Sequence, residues 1–296
     1  MAEIYRSVHA AGAVAAAENE RGEMLRRAGR PGEAAGHFER ALAALGVVGD
    51  PDPGTHSAIL NNLALTAYQQ RDFDRARRCL VRSLEVGPLV GDPVGRAITY
   101  DNLAVVEVEL ARAAAPDPDR ARARVRLGEA ETYFAAAERL FRSVLPEGVD
   151  DYLRSVLNRV DAAEMRGDTE AMDRLTRHAA EVAGHGAVAP ENALEAATMR
   201  GSFLHRRRNR PRAAVELMTA RLPALLPDCP AERSAAALVV LLAAAGATGD
   251  PALVRDVTTR ITEIGGEPGP GGPAPDPRKG PAGTGPKNTA KTTARR

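Results

Sequence analysis

Tryptophan is absent from this 296-residue chain, and all aromatics together make up 3% of it. Yet 44% of the residues are hydrophobic. Alanine and leucine must therefore carry the core. Such a core suits closely stacked helices, since alanine has the best helix propensity and lets backbones approach. No sustained alternation of Val, Ile, Thr and aromatics occurs, so strands are not expected. Cysteine is also scarce: Cys79 and Cys229 are the only two. They make neither a disulfide framework nor a metal site, and Cys79 reads as a buried structural thiol. The net charge is +1, which gives no general attraction to nucleic acid or to a membrane surface. The N-terminal run MAEIYRSVHAAGAVAAAENE has an early acid and no continuous apolar core, so no signal peptide is expected. The apolar segment 235–246 is too short to span a bilayer. A cytoplasmic location is the expectation.

Catalytic signatures are missing too. There is no Walker A motif, no HExxH, no GxSxG and no CxxC. The run GPGG at 269–272 follows no strand, so it is not read as a nucleotide loop. The six histidines are scattered; His178 and His185 are the nearest pair, and both read as ordinary surface residues. Glu107 and Glu109 stand two apart on a helix, on different faces, and form no carboxylate pair. No enzymatic activity, cofactor or metal site is expected.

What the chain does have is a recurring grammar, clearest in HSAILNNLALTAYQQRDFDRARRCLVRSLEVGP, from His56 to Pro88. Ile59, Leu60, Leu63, Ala64 and Ala67 are spaced by threes and fours, one apolar stripe on a first helix. Arg71-Asp72 breaks the pattern as a tight turn. Phe73, Ala76, Leu80 and Leu84 stripe a second helix, and Pro88 cannot continue it. A lone pair of this kind cannot bury both its faces and needs neighbours stacked on it. The stretch resembles a tetratricopeptide repeat (TPR). Ala64, Phe73, Ala76, Leu80, Ser83 and Pro88 fill the family's places, and LNNLAL (Leu60 to Leu65) is most similar to the long-repeat subclass typified by kinesin light chains, of bacterial type. The resemblance implies an all-α fold, a right-handed α-solenoid of about six antiparallel helix pairs.

Along the chain, Met1 to Ala17 is Ala-rich and helical, either a cap or an extension of the first repeat helix. The first repeat runs to Leu45, with Gly22 small in mid-helix, Gly29-Arg30-Pro31 as the turn, and Ala34, Phe38, Ala41 and Leu42 as the second stripe. The connectors 46–54 and 87–95 both contain Gly-Asp-Pro and set a repeat of about 40 residues, longer than the commonest class. A third repeat opens with ITYDNLAVVEVEL (Ile98 to Leu110). Its turn is enlarged by an Arg-rich insertion near 111–127, which either lengthens both helices or forms a finger. Its second helix carries Phe134, Ala137, Leu140 and Phe141. The fourth pair, 151–183, turns at Gly167-Asp168, and Thr176 stands where a large apolar residue is expected. A fifth, 191–226, places Gly201 as the small residue. The sixth, 231–264, turns at Gly249-Asp250-Pro251, and its apolar first helix is expected to be covered on most sides. The repeat domain is thus read as 1–264. From Gly265 onward the chain has eight glycines and seven prolines, six basic and two acidic residues. This 265–296 tail cannot bury a core and is expected to be disordered.

The resemblance also implies a site. First helices of TPR pairs line a concave groove, and an Asn two before the small residue points into it and hydrogen-bonds a bound peptide's backbone. Asn62 and Asn102 stand two before Ala64 and Ala104, and Asn158 two before Val160. A carboxamide offers a donor and an acceptor together, matching a peptide unit whatever its side chain. Asn61, Leu65, Tyr68 and Gln69 in the second repeat, with Asp101, Val105 and Glu109 in the third, are further groove candidates. Ala58, Asn61, Ile98 and Asp101 occupy the places where chaperone-binding TPR domains set Lys and Arg, so an extended internal peptide is expected and not a C-terminal carboxylate. The function so implied is a non-enzymatic scaffold binding a protein or peptide partner. A sensor or regulatory subunit of a bacterial transcription or signalling system, responding to a small peptide or ligand, is the alternative. The cluster Arg200, Arg206, Arg207, Arg208, Arg210 and Arg212 reads as a solvated helix end, and nucleic-acid binding is not expected. No membrane partner is expected, and self-association into a homo-oligomer stays open.

Overall fold

The computed structural model describes residues 2–47, 52–86, 92–114 and 120–265. The expected disordered tail, beyond residue 265, lies outside these residues, as do the middles of both connectors and residues 115–119 of the insertion. Among the described residues there are twelve α-helices, one short 3₁₀ turn and no strand. In chain order they are α1 (Ala2–Arg27), α2 (Pro31–Leu45), α3 (Pro53–Gln69), α4 (Phe73–Val86), α5 (Pro93–Ala114), α6 (Arg120–Val144), α7 (Val149–Met165), α8 (Thr169–Val182), α9 (Pro190–Arg206), α10 (Pro211–Leu225), α11 (Ala231–Thr248) and α12 (Pro251–Gly265). They pair as antiparallel neighbours and fall into two compact units, α1–α6 and α7–α12.

The turns explain the pairing. Five of the six pairs turn through one left-handed residue: Gly29, Arg71, Gly167, Asn209 and Gly249 all have positive φ, between 49° and 74°. Glycine takes this conformation without steric cost, and the other two accept the strain. A helix start follows at once. The recurring Asp-Pro dipeptide is a cap followed by the first helical residue: Asp52 accepts from Thr55 N at 2.7 Å, Asp92 from Gly95 N at 2.9 Å, and Asp250 from Ala252 N at 3.0 Å. Aspartate satisfies an orphan N–H there, and proline has none to lose.

The pairs close on small residues. A Cβ on Gly22 would sit 2.6 Å from the Phe38 ring, and one on Gly201 would collide with Met218 Sδ. Each glycine thus admits one large side chain of the second helix. In the first unit α1, α3 and α5 stand side by side, with α2, α4 and α6 packed against them. Phe38, Ile59 and Leu63 share one cluster, and Leu80, Leu103 and Val106 another. The insertion lengthens both helices of its pair, since α5 and α6 run along each other for 22 and 25 residues.

In the second unit α7, α9 and α11 stand side by side. Thr176, at the expected large apolar position, is buried, and its Oγ1 donates to Met172 O and accepts from Arg200 Nη1. The large group is supplied by Arg200 from the next helix. One sequence expectation is corrected here. α11 is 18 residues long with a mean hydropathy of 1.4, enough by length and composition to cross a membrane. Its apolar residues have a local explanation: Leu238, Val240 and Leu241 pack with Leu194, Met218, Leu222 and Val257.

Candidate interaction face

Nine of the ten expected groove residues lie on α3 and α5, adjacent helices of the first unit; Asn158 lies half-buried on α7, in the other unit. The nine-residue run from Ile59 to Ala67 is buried throughout. This enclosure separates the candidates by role.

Asn61 is 5% exposed and ties three helices together. The two hydrogens of its Nδ2 are shared among three acceptors, Ser57 O at 3.1 Å, Ser83 Oγ on α4 at 2.7 Å and Thr99 Oγ1 on α5 at 3.0 Å. Ser57 Oγ and Ser83 Oγ share a further bond at 2.7 Å. Among the described residues this donor is spent on repeat stacking. Leu65, 2% exposed, is likewise packed inside.

Asn62 faces the preceding repeat, where its Nδ2 donates to Asn19 Oδ1 at 3.0 Å. Asn19 was not among the sequence candidates; as the only asparagine on α1, three before Gly22, it was findable. Asn102 is 1% exposed, and neither atom of its carboxamide has a hydrogen-bond partner among the described residues. Gln69 Oε1 and Asn61 Oδ1 are also buried without partners there. Asp101 is buried, while Tyr68 and Val105 are half-buried. Tyr68 packs edge-on against Phe73, with centroids 5.5 Å apart. A row of amide groups on adjacent first helices thus keeps unused hydrogen-bonding capacity.

Beside this row lies a charged knot that spacing along one helix did not reveal. Glu107 is 0% exposed and accepts from Arg77 Nε of α4 at 2.6 Å and Arg126 Nη1 of α6 at 2.9 Å. Burial first, and then the Glu107 charge, raise the Tyr133 phenol above its usual range. Tyr133 stacks on Tyr100 of α5 at 6.3 Å. Burial likewise pushes the half-buried Cys79 thiol up, against the pull of Arg75, Arg78 and Arg82.

Three of the six arginines in the second unit's cluster are paired with carboxylates. Arg200 Nη1 donates to Asp173 Oδ1 at 2.5 Å, Arg207 Nη2 to Glu164 at 2.7 Å, and Arg208 Nη2 to Glu170 at 2.8 Å and Asp173 at 3.1 Å. Arg200 and Arg208 both lie over the Phe203 ring, at 5.6 and 5.7 Å. Burial would raise the Asp173 carboxyl, but the hydrogen bond and charge of Arg200, with Arg177 and Arg208, outweigh it and hold it below the usual range. These guanidiniums are engaged by carboxylates, whereas Arg206, Arg210 and Arg212 are exposed. Among the described residues no group of three His, Cys, Asp or Glu is placed to hold a metal.

Residues 13–88 match the tetratricopeptide repeat family. No curated protein matches the sequence. Among solved structures, the chain is similar to BtubC (BKLC) from P. vanneervenii, at 16% identity and a TM-score of 0.51, over 92% of this chain and 94% of that one. It is similar to a thermophilic TPR protein of Thermus thermophilus, at 19% identity and a TM-score of 0.52, over 80% and 100%. A Podosopora anserina protein with nearly identical TPR-like repeats, named for kinesin light chains, aligns at 14% identity and a TM-score of 0.52, over 73% and 97%. At these identities the likeness concerns the fold. Residues 13–88 thus match the tetratricopeptide repeat family, and the chain that carries them has a fold similar to that of TPR proteins.

Proposed function

We infer that this chain is a non-enzymatic cytoplasmic scaffold that holds an extended segment of a partner protein along the α3–α5 face of its first unit. TPR repeats generally mediate protein–protein interaction, and the match over residues 13–88 covers α3. The observation that carries the reading is the Asn102 carboxamide, buried with no partner on either atom among the described residues. Leaving such a group unpaired costs about 1–3 kcal/mol. A donor and an acceptor held side by side suit one peptide unit of an extended chain. Asn62 offers the next such unit one repeat earlier, on giving up its bond to Asn19. Asn102 lies beneath the surface, so engagement requires side chains above it to move aside. Tyr68 and Val105, half-buried on the same helices, supply side-chain contacts. Contacts spread over several repeats give weak to moderate affinity.

The test is a selection of displayed random peptides on the full chain, repeated on an Asn62→Ala/Asn102→Ala variant whose helical content matches wild type. Peptides retained by the wild type should bind the variant about tenfold more weakly or worse, the equivalent of about 1.4 kcal/mol. Equal affinity for both proteins would remove the face from consideration.

A further inference from the structure

The second unit contains a surface cleft of about 260 Å³ between α8 and α10, floored by α9. Its lining is Ala180 from α8 and Ala183 just past it, Ala193 and Ala197 from α9, and Leu217 and Arg221 from α10, among others. The cleft arises from missing side chains. Counted back from the small residue of each first helix, Ala197 stands four before Gly201, as Leu60 stands four before Ala64 and Tyr100 four before Ala104. Ala180, four after Thr176, takes the place of Leu42 after Phe38 and Leu84 after Leu80. In the first unit these places hold larger side chains, Leu60, Tyr100 and Glu18 on the first helices and Leu42 and Leu84 on the second; here they hold alanines, and the volume stays open.

The rim carries one charge. Arg221 is exposed, and among the described residues it has no hydrogen bond or ion pair, unlike Arg200, Arg207 and Arg208 of the same unit. Its guanidinium lies over Gly184, just past the C-terminus of α8, 3.4 Å from where a Cβ on that glycine would be. The open volume of the cleft is small, about 260 Å³. It falls just below the range of pockets for drug-sized ligands, about 300 Å³ upward. A flat guanidinium at the mouth of an apolar slot matches a carboxylate, which it can hold through two parallel hydrogen bonds.

We propose that this cleft binds a medium-chain fatty acid, its alkyl chain over Ala180 and Ala197 and its carboxylate on Arg221. The site lies on α8–α10, so it stands or falls independently of the α3–α5 face.

The experiment is calorimetric titration of the full chain with octanoate, with octanol and octylamine as neutral and cationic counterparts. One-to-one octanoate binding with a Kd of about 1 mM or tighter is expected. Octanol and octylamine should each bind about tenfold more weakly or worse. Arg221→Gln, an exposed and fold-neutral change, should weaken octanoate by a similar factor. Ala197→Leu, which restores the Leu60 arrangement, should abolish binding while leaving helical content unchanged. No saturable octanoate binding, octylamine binding as tightly as octanoate, or an Arg221→Gln protein indistinguishable from wild type would each overturn the proposal.

Discussion

The two units join adjacent repeats with different chemistry. In the first, a neutral tie runs beside the ionic Arg77–Glu107 contact: Asn61 reaches from α3 to Ser83 on α4 and Thr99 on α5. In the second it is ionic: Arg200 reaches from α9 back to Asp173 and Thr176 on α8 and is stacked on Phe203. Both reach the neighbouring pair from the first helix of their own. Both sit where a purely apolar core would leave a gap, beside Ser83 in one case and Thr176 in the other. A repeat interface evidently needs a polar group that fixes register, and either an amide or a guanidinium serves. The two differ in what happens when a partner is lost, and in how they respond to acid.

The ionic tie should be the easier to break. Removing one member of a buried ion pair typically costs about 3–5 kcal/mol, because the other charge is left behind. Arg177 and Arg208 still reach Asp173, so Arg200→Ala is expected to cost about 3 kcal/mol, at the low end of that range. The loss should show as reduced hydrogen-exchange protection in α8 and α9. The effect must fade in acid. Asp173 has a folded pKa below its unfolded value, which is about 3.9. Its contribution is therefore complete above that pH and disappears as the pH falls through the depressed folded value. The gap between wild type and Arg200→Ala should narrow on going below about pH 4. A constant gap would mean that Arg200 acts only through its packing on Phe203.

The neutral tie should cost less and be indifferent to this titration. Asn61→Ala removes both amide N–H donors, but Ser83 keeps Ser57 and Thr99 keeps Gly95 O as partners. A loss of about 2 kcal/mol follows, confined to exchange in α3–α5 and equal at pH 7 and pH 4. A larger loss that spreads through α1 and α2 would show that Asn61 organises the whole unit.

The smallest effect concerns the turns, where Arg71 and Asn209 stand in left-handed backbone that Gly29, Gly167 and Gly249 adopt freely. Arg71→Gly should raise stability by about 1 kcal/mol, less the stacking of Arg71 over the Phe73 ring at 5.6 Å. Thermal melting of the two proteins decides whether backbone relief or the lost ring contact is the larger.

Much of this architecture was legible because it is encoded locally. The three-and-four spacing of Ile59, Leu60, Leu63 and Ala64, the glycine at 22 and the Asp-Pro starts each act within a few residues of themselves. What escaped was set by partners far along the chain. Nothing near Asn61 shows that it ties its repeat to the next one while its neighbour Asn62 faces the preceding one; the distinction comes from Thr99 and Asn19, 38 and 43 residues away. The arginine cluster looked like free charge because its carboxylates lie 27 to 43 residues upstream. One signal was available: the polar Thr176 in a large apolar place and Arg200 beside the small Gly201 are two anomalies that explain each other.

The pairing of each helix with the next also governs how quickly the chain takes shape. Within each unit, helices touch their sequence neighbours, and the first helix of a pair also touches the first helix of the next. Topologies of this kind have low contact order and fold in about microseconds to milliseconds, since little loop-closure entropy is lost before contacts form. Folding can nucleate at any pair and spread to either side. A nascent polypeptide leaving the ribosome would therefore bury each apolar stripe as soon as the following helix emerged, and would at no stage expose much more than one unmatched face to the chaperones and aggregation-prone neighbours around it.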